Sequence, residues 1–309
     1  MINLVSGGAG FIGSHLIDRL LKSGEYVISI DNLFTGRIQN LLRWENHPNF
    51  QFINHDIINP IDIKADKIWH LACPASPAHY QLDPIKTAKI NFLGSLNMLE
   101  IARKYQSKIL LASTSEVYGN PEVHPQKETY SGNVNSFGIK SCYYEGKRIA
   151  ESLFFEYNNF HNVDTRLVRI FNTYGPRMQP DDGRVVSNFI VNALKGETLI
   201  IYGNGEQTRS FCYINDLING LINLMNSNYS KPINIGNPCE YSIISLAKLV
   251  IAKINSKSNI KFMPITEYDP LRRKPDINLA MEKLNWRPEI SLDKGLDRTI
   301  KHFEKLILR

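Results

Sequence analysis

The chain has 309 residues, 43% hydrophobic and 21% charged, which is ordinary for a globular protein and excludes a disordered or collagen-like one. That length can bury a large core, in one big or two modest domains. The formal net charge of +6, 36 basic against 30 acidic residues, is spread without a long basic run. It therefore argues against nucleic acid as a partner and for an anionic small molecule, and no stretch is apolar enough to span a membrane.

Ile2-Asn3-Leu4-Val5-Ser6 reads as a short buried strand. Gly7, Gly8, Gly10 and Gly13 follow and open an apolar helix, Phe11-Ile12-Gly13-Ser14-His15-Leu16-Ile17. Glycines there let the backbone turn tightly and approach a pyrophosphate, to which the helix N-terminus offers unpaired N–H groups. A second strand, Tyr26 to Ile30, ends at Asp31, and 31 − 13 = 18 residues separate this acid from the last glycine. The spacing is close to the roughly 20 expected for a carboxylate on adenosine ribose hydroxyls. Strand, glycines, helix, strand and acid in that order predict a dinucleotide site, and an Asp that repels a ribose phosphate favours NAD over NADP, although Arg37 lies nearby.

The next strands expected are Phe50–Ile53, Lys67–Leu71, Lys108–Ala112 and Val163–Ile170, with helical patterns from Pro84 to Tyr105 and Cys142 to Phe160. Such alternation predicts an α/β fold with a Rossmann-type, doubly wound parallel sheet whose ligand crevice lies at the carboxyl ends of the strands. Asp56, Leu71-Ala72, Ser113 and Ile170-Phe171-Asn172 fall at such ends. Tyr143 and Lys147 stand four apart and so share a helix face, where the ammonium favours the ionised phenol and makes a base near neutral pH. A lone pair of this kind is ordinarily just surface, so the surrounding motifs decide it.

The second half changes texture. Gly175-Pro176-Arg177 and Asp181-Asp182-Gly183 mark a loop, and Leu199-Ile200-Ile201-Tyr202 runs into Asn204-Gly205, a hairpin signal. Pro264, Pro270, Pro275 and Pro288 punctuate the last third. The expectation is a dinucleotide domain over 1–170, joined by part of 208–232, and a smaller α/β substrate-binding cap mainly over 171–309. Cys73, Cys142, Cys212 and Cys239 have neither metal-like nor redox-like spacing and the histidines form no His-x-x-x-His pair, so reduced structural thiols and no metal site are expected. The first strand begins at once, leaving no room for a signal peptide, which points to the cytoplasm.

Gly7 to Gly13, Asp31-Asn32-Leu33-Phe34-Thr35-Gly36-Arg37, Ser113-Thr114-Ser115-Glu116-Val117-Tyr118-Gly119 and the Tyr143/Lys147 pair together resemble the extended short-chain dehydrogenase/reductase family. Within it, His70 to Pro77, Arg169 to Met178, Asp182 to Phe189, Gln207 to Phe211 and Arg273 to Ile277 are most similar to the decarboxylases of UDP-glucuronate. The resemblance implies a carboxy-lyase that makes UDP-xylose with a tightly bound, recycled NAD. Its catalytic residues would be Thr114, Ser115, Glu116, Tyr143, Lys147 and Arg273. The cofactor would lie on Gly7, Gly10, Phe11, Ile12, Gly13, Asp31, Asn32, Thr35, Gly36, Asp56, Ile57, Leu71, Ala72, Tyr143 and Lys147, and the UDP-sugar on Tyr80, Asn172, Arg184, Val186, Tyr202, Arg209 and Arg273.

Related 4,6-dehydratases carry an Asp-Glu pair because elimination needs an acid as well as a base, and here Ser115 stands before Glu116. Tyr144, Cys73 and Ser6 depart from the residues common in the decarboxylases. They leave open a relative that stops at the 4-keto-pentose and releases NADH. A 4-epimerase, a dehydratase, or a catalytically silent protein on the same fold remain as alternatives. The resemblance also implies a homodimer formed through the outer faces of the two helical stretches.

Overall fold

The computed structural model describes residues 1–264 and 272–308, so Pro270 lies outside the described residues. The chain divides into two compact units, the first comprising Met1–Val117, Asn135–Arg169 and Ile218–Ile233, and the second Tyr118–Val134, Ile170–Leu217 and Asn234–Arg309.

In the first unit, β1 (Ile2–Ser6), β2 (Tyr26–Asp31), β3 (Phe50–Asn54), β4 (Lys67–His70), β5 (Lys108–Thr114) and β6 (Thr165–Ile170) join a seven-stranded sheet, whose order is Pro232–Ile235, β6, β5, β4, β1, β2, β3. The pairings of β1 with β2 and β4, of β2 with β3, and of β4 with β5 are all parallel. The doubly wound α/β sheet anticipated from the alternating pattern is therefore present. Leu4, Ile28, Ile68, Ile109 and Leu111 from the strands pack with Met98, Leu99 and Phe154 from the helices in one core. The strands read as apolar runs because a parallel sheet is covered on both faces.

Several strand ends shift by one or two residues, β4 stopping at His70 and β6 starting at Thr165, and one helical stretch differs in kind. β5 runs two residues beyond Ala112, to Thr114. The helical stretch from Pro84 is not one regular helix: α1 (Phe11–Lys22) and the short α2 (Pro77–Tyr80) precede α3 (Pro84–Lys89), a π turn at Ile90–Gly94, and α4 (Ser95–Tyr105). A Cβ on Gly94 would lie 2.5 Å from Cδ1 of Ile57, so a side chain there would oblige Ile57 to shift. α5 (Ser141–His161) matches its expected span within a residue at each end.

The second unit contains α6 (Val185–Lys195) and three small sheets: Cys212–Tyr213 with Thr173–Tyr174, Glu240–Ser242 with Thr208–Ser210 and Arg272–Arg273, and Ile260–Met263 with Leu199–Tyr202. The hairpin expected at Asn204-Gly205 does not form. Gly203 and Gly205 take positive φ of 75° and 81° and Asn204 accepts a hydrogen bond from Glu206 N, so the local turn is made. The strands on either side of it, however, pair in different sheets, Leu199–Tyr202 in parallel with Ile260–Met263 and Thr208–Ser210 with Glu240–Ser242 and Arg272–Arg273. No helix among the described residues is long and apolar enough to cross a membrane.

Candidate active site

The turn after β1 is closed by backbone alone. Gly7, at φ +75°, donates its N–H to Ile30 O at 2.8 Å, and Gly10 donates to Gly7 O at 3.2 Å. A Cβ on Gly13 would come within 2.2 Å of Gly7 O, and one on Gly7 within 2.8 Å of Ala72 N and Cα, so these positions exclude a side chain. Gly10 precedes α1, whose N-terminus has no side-chain cap, and Phe11 and Ile12 form its first turn. Backbone N–H groups at such an end suit a phosphate.

Asp31 ends β2, buried, with one carboxylate oxygen accepting from Ala9 N at 3.0 Å and the other from Leu33 N at 2.8 Å. Burial raises its pKa above the ordinary Asp value, although the two amides act in the opposite sense. A Cβ on Gly36 would lie 2.7 Å from this carboxylate, so the loop holding Thr35 and Gly36 closes on Asp31 only because Gly36 is bare. Asn32 donates to Asp56 at 2.9 Å, and Lys86 pairs with Asp56 at 3.0 Å. Burial alone would raise the Asp56 carboxyl, but these donors and the Ile58 amide together hold it below its usual range. Ile57 is in the core, and Leu71 and Ala72 leave β4 with their N–H groups on Ser6, at 3.1 Å to the carbonyl and 3.4 Å to the hydroxyl.

β5 ends at Thr114, whose hydroxyl accepts from Glu116 N at 3.2 Å; Ser115 is buried and Glu116 is partly exposed. On α5, Tyr143 and Lys147 are 5% and 4% exposed, and the Lys147 ammonium donates to Ala112 O at 2.9 Å. The Tyr143 ring lies parallel to that of Tyr80, with centroids 4.9 Å apart and planes 2° from parallel. The first unit thus gathers every residue expected for the cofactor and all the expected catalytic residues except Arg273.

In the second unit, Arg209 and Arg273, both buried, sit opposite each other in register on parallel strands. Arg273 donates to Gly119 O at 3.0 Å and Arg209 to Thr208 O at 2.8 Å. Arg184 forks onto Asp182 just before α6, Val186 is buried in its first turn, and Asn172 O accepts from Cys212 N. Tyr202 closes its strand half-exposed, its carbonyl accepting from the Gln207 side chain at 2.6 Å.

Two groups escaped the sequence reading, one partly buried and one fully buried. Glu151 holds Ser113 at 2.5 Å and Arg169 at 2.7 Å; its place four residues after Lys147, on the Tyr143 face, was a usable signal. His70 is the other, with Nδ1 2.9 Å from the Ser6 hydroxyl, Nε2 3.1 Å from that of Ser95, and its ring stacked on Phe154. Burial, reinforced by the Lys147 charge, pushes its pKa down to about 3.

Comparison with known proteins fits this geometry. A family model described as GDP-mannose 4,6 dehydratase matches residues 4–299. UDP-glucuronic acid decarboxylase 1 of Xenopus tropicalis is 53% identical over 302 residues, 98% of this chain and 72% of that protein. UDP-glucuronic acid decarboxylase 2 of Arabidopsis thaliana is 53% identical over 304 residues, 98% of this chain and 68% of that one. Among solved structures, the UDP-glucuronic acid 4-epimerase of Bacillus cereus, in complex with UDP-glucuronic acid and NAD, superimposes with a TM-score of 0.89 at 29% identity, covering 99% of this chain and 100% of that one. The chain belongs to the GDP-mannose 4,6-dehydratase family of extended short-chain dehydrogenases/reductases, on its UDP-glucuronic acid decarboxylase branch.

Proposed function

We infer that the chain is an NAD-dependent carboxy-lyase that converts UDP-glucuronate to UDP-xylose through a 4-keto intermediate. The observation that carries this reading is the 53% identity with UDP-glucuronic acid decarboxylases along 98% of the chain. The geometry of the first unit supports it, because the bare glycine turn, the uncapped start of α1 and the Asp31 carboxylate suit a dinucleotide's pyrophosphate and adenosine ribose. NAD, when bound, supplies a hydride acceptor for C4 of the sugar and later a hydride donor, so it is recycled and stays tightly held.

Tyr143 takes the proton of the C4 hydroxyl, and the Lys147 ammonium, fixed on Ala112 O, favours the phenolate and holds the nicotinamide ribose. Thr114 hydrogen-bonds the C4 oxygen. The resulting ketone is β to the carboxylate, so the electrons of the C5–C6 bond pass into the enolate as carbon dioxide leaves. Glu116 and Ser115 flank the departing carboxylate, where like charge and dehydration favour the neutral product. C5 then takes a proton from water, the step to which the family resemblance assigns Arg273, and Tyr143 returns its proton to O4. The remaining candidates, Asn172, Arg184, Val186, Tyr202 and Arg209, take the uridine diphosphate, with arginine suited to phosphate and tyrosine to the uracil face. Arg209 is the strongest of these, while Arg184 is already engaged by Asp182.

UDP-glucuronate labelled at C6 is expected to release labelled carbon dioxide and leave a UDP-pentose. Label retained in a UDP-hexuronate would instead mark a 4-epimerase and overturn the reading. A 4-keto-pentose accumulating with equimolar NADH would place the protein among enzymes that stop after decarboxylation.

The proposal extends to a reducing, cytoplasmic setting, where free thiols such as Cys73, Cys142, Cys212 and Cys239 persist. It extends also to a homodimer, since Ile85 on α3, Phe92 on the π turn, and Ile149, Phe155 and Phe160 on α5 are exposed apolar side chains on the two helical stretches. Light scattering at micromolar concentration is expected to give twice the chain mass, and Phe155→Glu to halve it; a wild-type monomer sinks this part.

A further inference from the structure

Tyr80 was expected to touch substrate, yet its side chain is 3% exposed and its face lies flat against Tyr143. The contact is anchored at both ends. The Tyr80 amide donates to Ser76 O at 2.9 Å, and its carbonyl accepts from the Thr87 hydroxyl at 3.1 Å and lies 4.0 Å from Cys142 Sγ. Ser76 is itself tied to the next turn through His79 Nδ1 at 2.8 Å. The edge of Tyr144 meets the Tyr143 ring at 6.3 Å between centroids, with the planes 60° apart.

A phenol on a helix keeps freedom about its side-chain torsions unless something fixes the ring plane. Here α5 sets the Cα of Tyr143, while the plane of its ring is set by Tyr80 from one face and Tyr144 from an edge. Parallel aromatic contact is direction-dependent in a way aliphatic packing is not, because the quadrupoles of the two rings select the stacking geometry. An aliphatic side chain at position 80 would fill space without selecting a ring plane.

We propose that Tyr80 is a positioning residue for the catalytic base: its ring, not its hydroxyl, fixes the plane of Tyr143 and so aims the phenolic oxygen at the C4 hydroxyl. This deepens the proposed reaction and rests on Tyr143 being the base. Proton transfer demands alignment within a fraction of an ångström, so loss of the stack acts on kcat more than on binding.

The test uses the full chain and two variants, Tyr80→Phe and Tyr80→Leu, read by steady-state kinetics on UDP-glucuronate and by NMR of ring-labelled tyrosine, with the Tyr143 signal assigned by its absence in Tyr143→Phe. Tyr80→Leu is expected to lower kcat on the order of 10- to 100-fold with KM changed less than about threefold, and to shift or broaden the Tyr143 signal. Tyr80→Phe should leave the Tyr143 signal in place and keep kcat well above that of Tyr80→Leu. Three results would overturn the proposal: Phe failing as badly as Leu, which makes the hydroxyl a substrate contact; Leu raising KM at unchanged kcat; or Leu leaving the Tyr143 signal in place. The NMR arm reads the stack without turnover, so it separates failure of this proposal from failure of the decarboxylase reading. Should the Leu variant not fold, Tyr80→His keeps a planar ring of smaller area and is expected to fall between Phe and Leu in kcat; a value at or below one-tenth of wild type with an unmoved Tyr143 signal overturns the stacking role equally.

Discussion

Tyr143→Phe is expected to bind NAD and UDP-glucuronate within a few-fold of wild type while losing about 10²- to 10⁴-fold in kcat, the range spanned by one general acid–base group. The substitution removes a single oxygen. Phenylalanine keeps the ring that packs on Tyr80 at 4.9 Å, and it leaves Lys147 on the Ala112 carbonyl, so neither the core nor the backbone between β5 and α5 has a reason to move. On the proposed mechanism, only the proton acceptor for the C4 hydroxyl is lost. Calorimetric titration with NAD and with UDP-glucuronate gives the binding, and trapped labelled carbon dioxide gives the rate. Activity within tenfold of wild type would remove Tyr143 as the base. Loss of NAD binding would show instead that its hydroxyl holds the cofactor.

The glycine turn, Asp31 and the Tyr143/Lys147 pair could be read from sequence because each rests on local spacing: a strand, a turn that needs bare glycines, an acid one strand later, two residues on one helix face. Long-range pairing was not legible. Asn204-Gly205 dictates a turn, but which strands lie side by side depends on Glu240–Ser242 and Arg272–Arg273, more than thirty residues further along the chain. The close approach of Gly94 to Ile57 likewise involves a different part of the chain. His70 looked like the end of an apolar strand, and nothing in its neighbours along the chain indicates that serines 6 and 95 would meet its two ring nitrogens. Tyr80 was singled out only by resemblance, and its stack on Tyr143 emerges only when α2 and α5 are folded together.

His70 provides the second large effect, on stability rather than rate. A neutral imidazole needs one donor and one acceptor among its partners, and the hydroxyls of Ser6 and Ser95 can serve as either, so the neutral ring is satisfied where it lies. A second proton would place a buried cation near the Lys147 ammonium, and burial first and that charge second drive the pKa down to about 3. Unfolded, the ring titrates near 6.5. Between pH 6.5 and about 3 the unfolded chain therefore carries a proton that the native state refuses, so stability from this group is intact above 6.5 and falls as pH drops through the window. The slope approaches about 1.4 kcal/mol per pH unit, giving a loss of about 2 kcal/mol between pH 7.5 and 5. His302, also shifted down by burial and by Arg177 and Lys305, adds to the same window, whereas the carboxyls of Asp56 and Glu240, held below their usual values, act at lower pH. The His70 share is isolated by His70→Gln, which keeps an amide donor and acceptor but no titratable proton. Urea unfolding at pH 7.5 and pH 5 should show the variant less stable than wild type at the higher pH, because a core fit is lost, but with the acid-induced loss reduced by about 2 kcal/mol. Equal acid sensitivity in the two proteins would mean that His70 is protonated within the fold, and that the serine pair accepts from a charged ring.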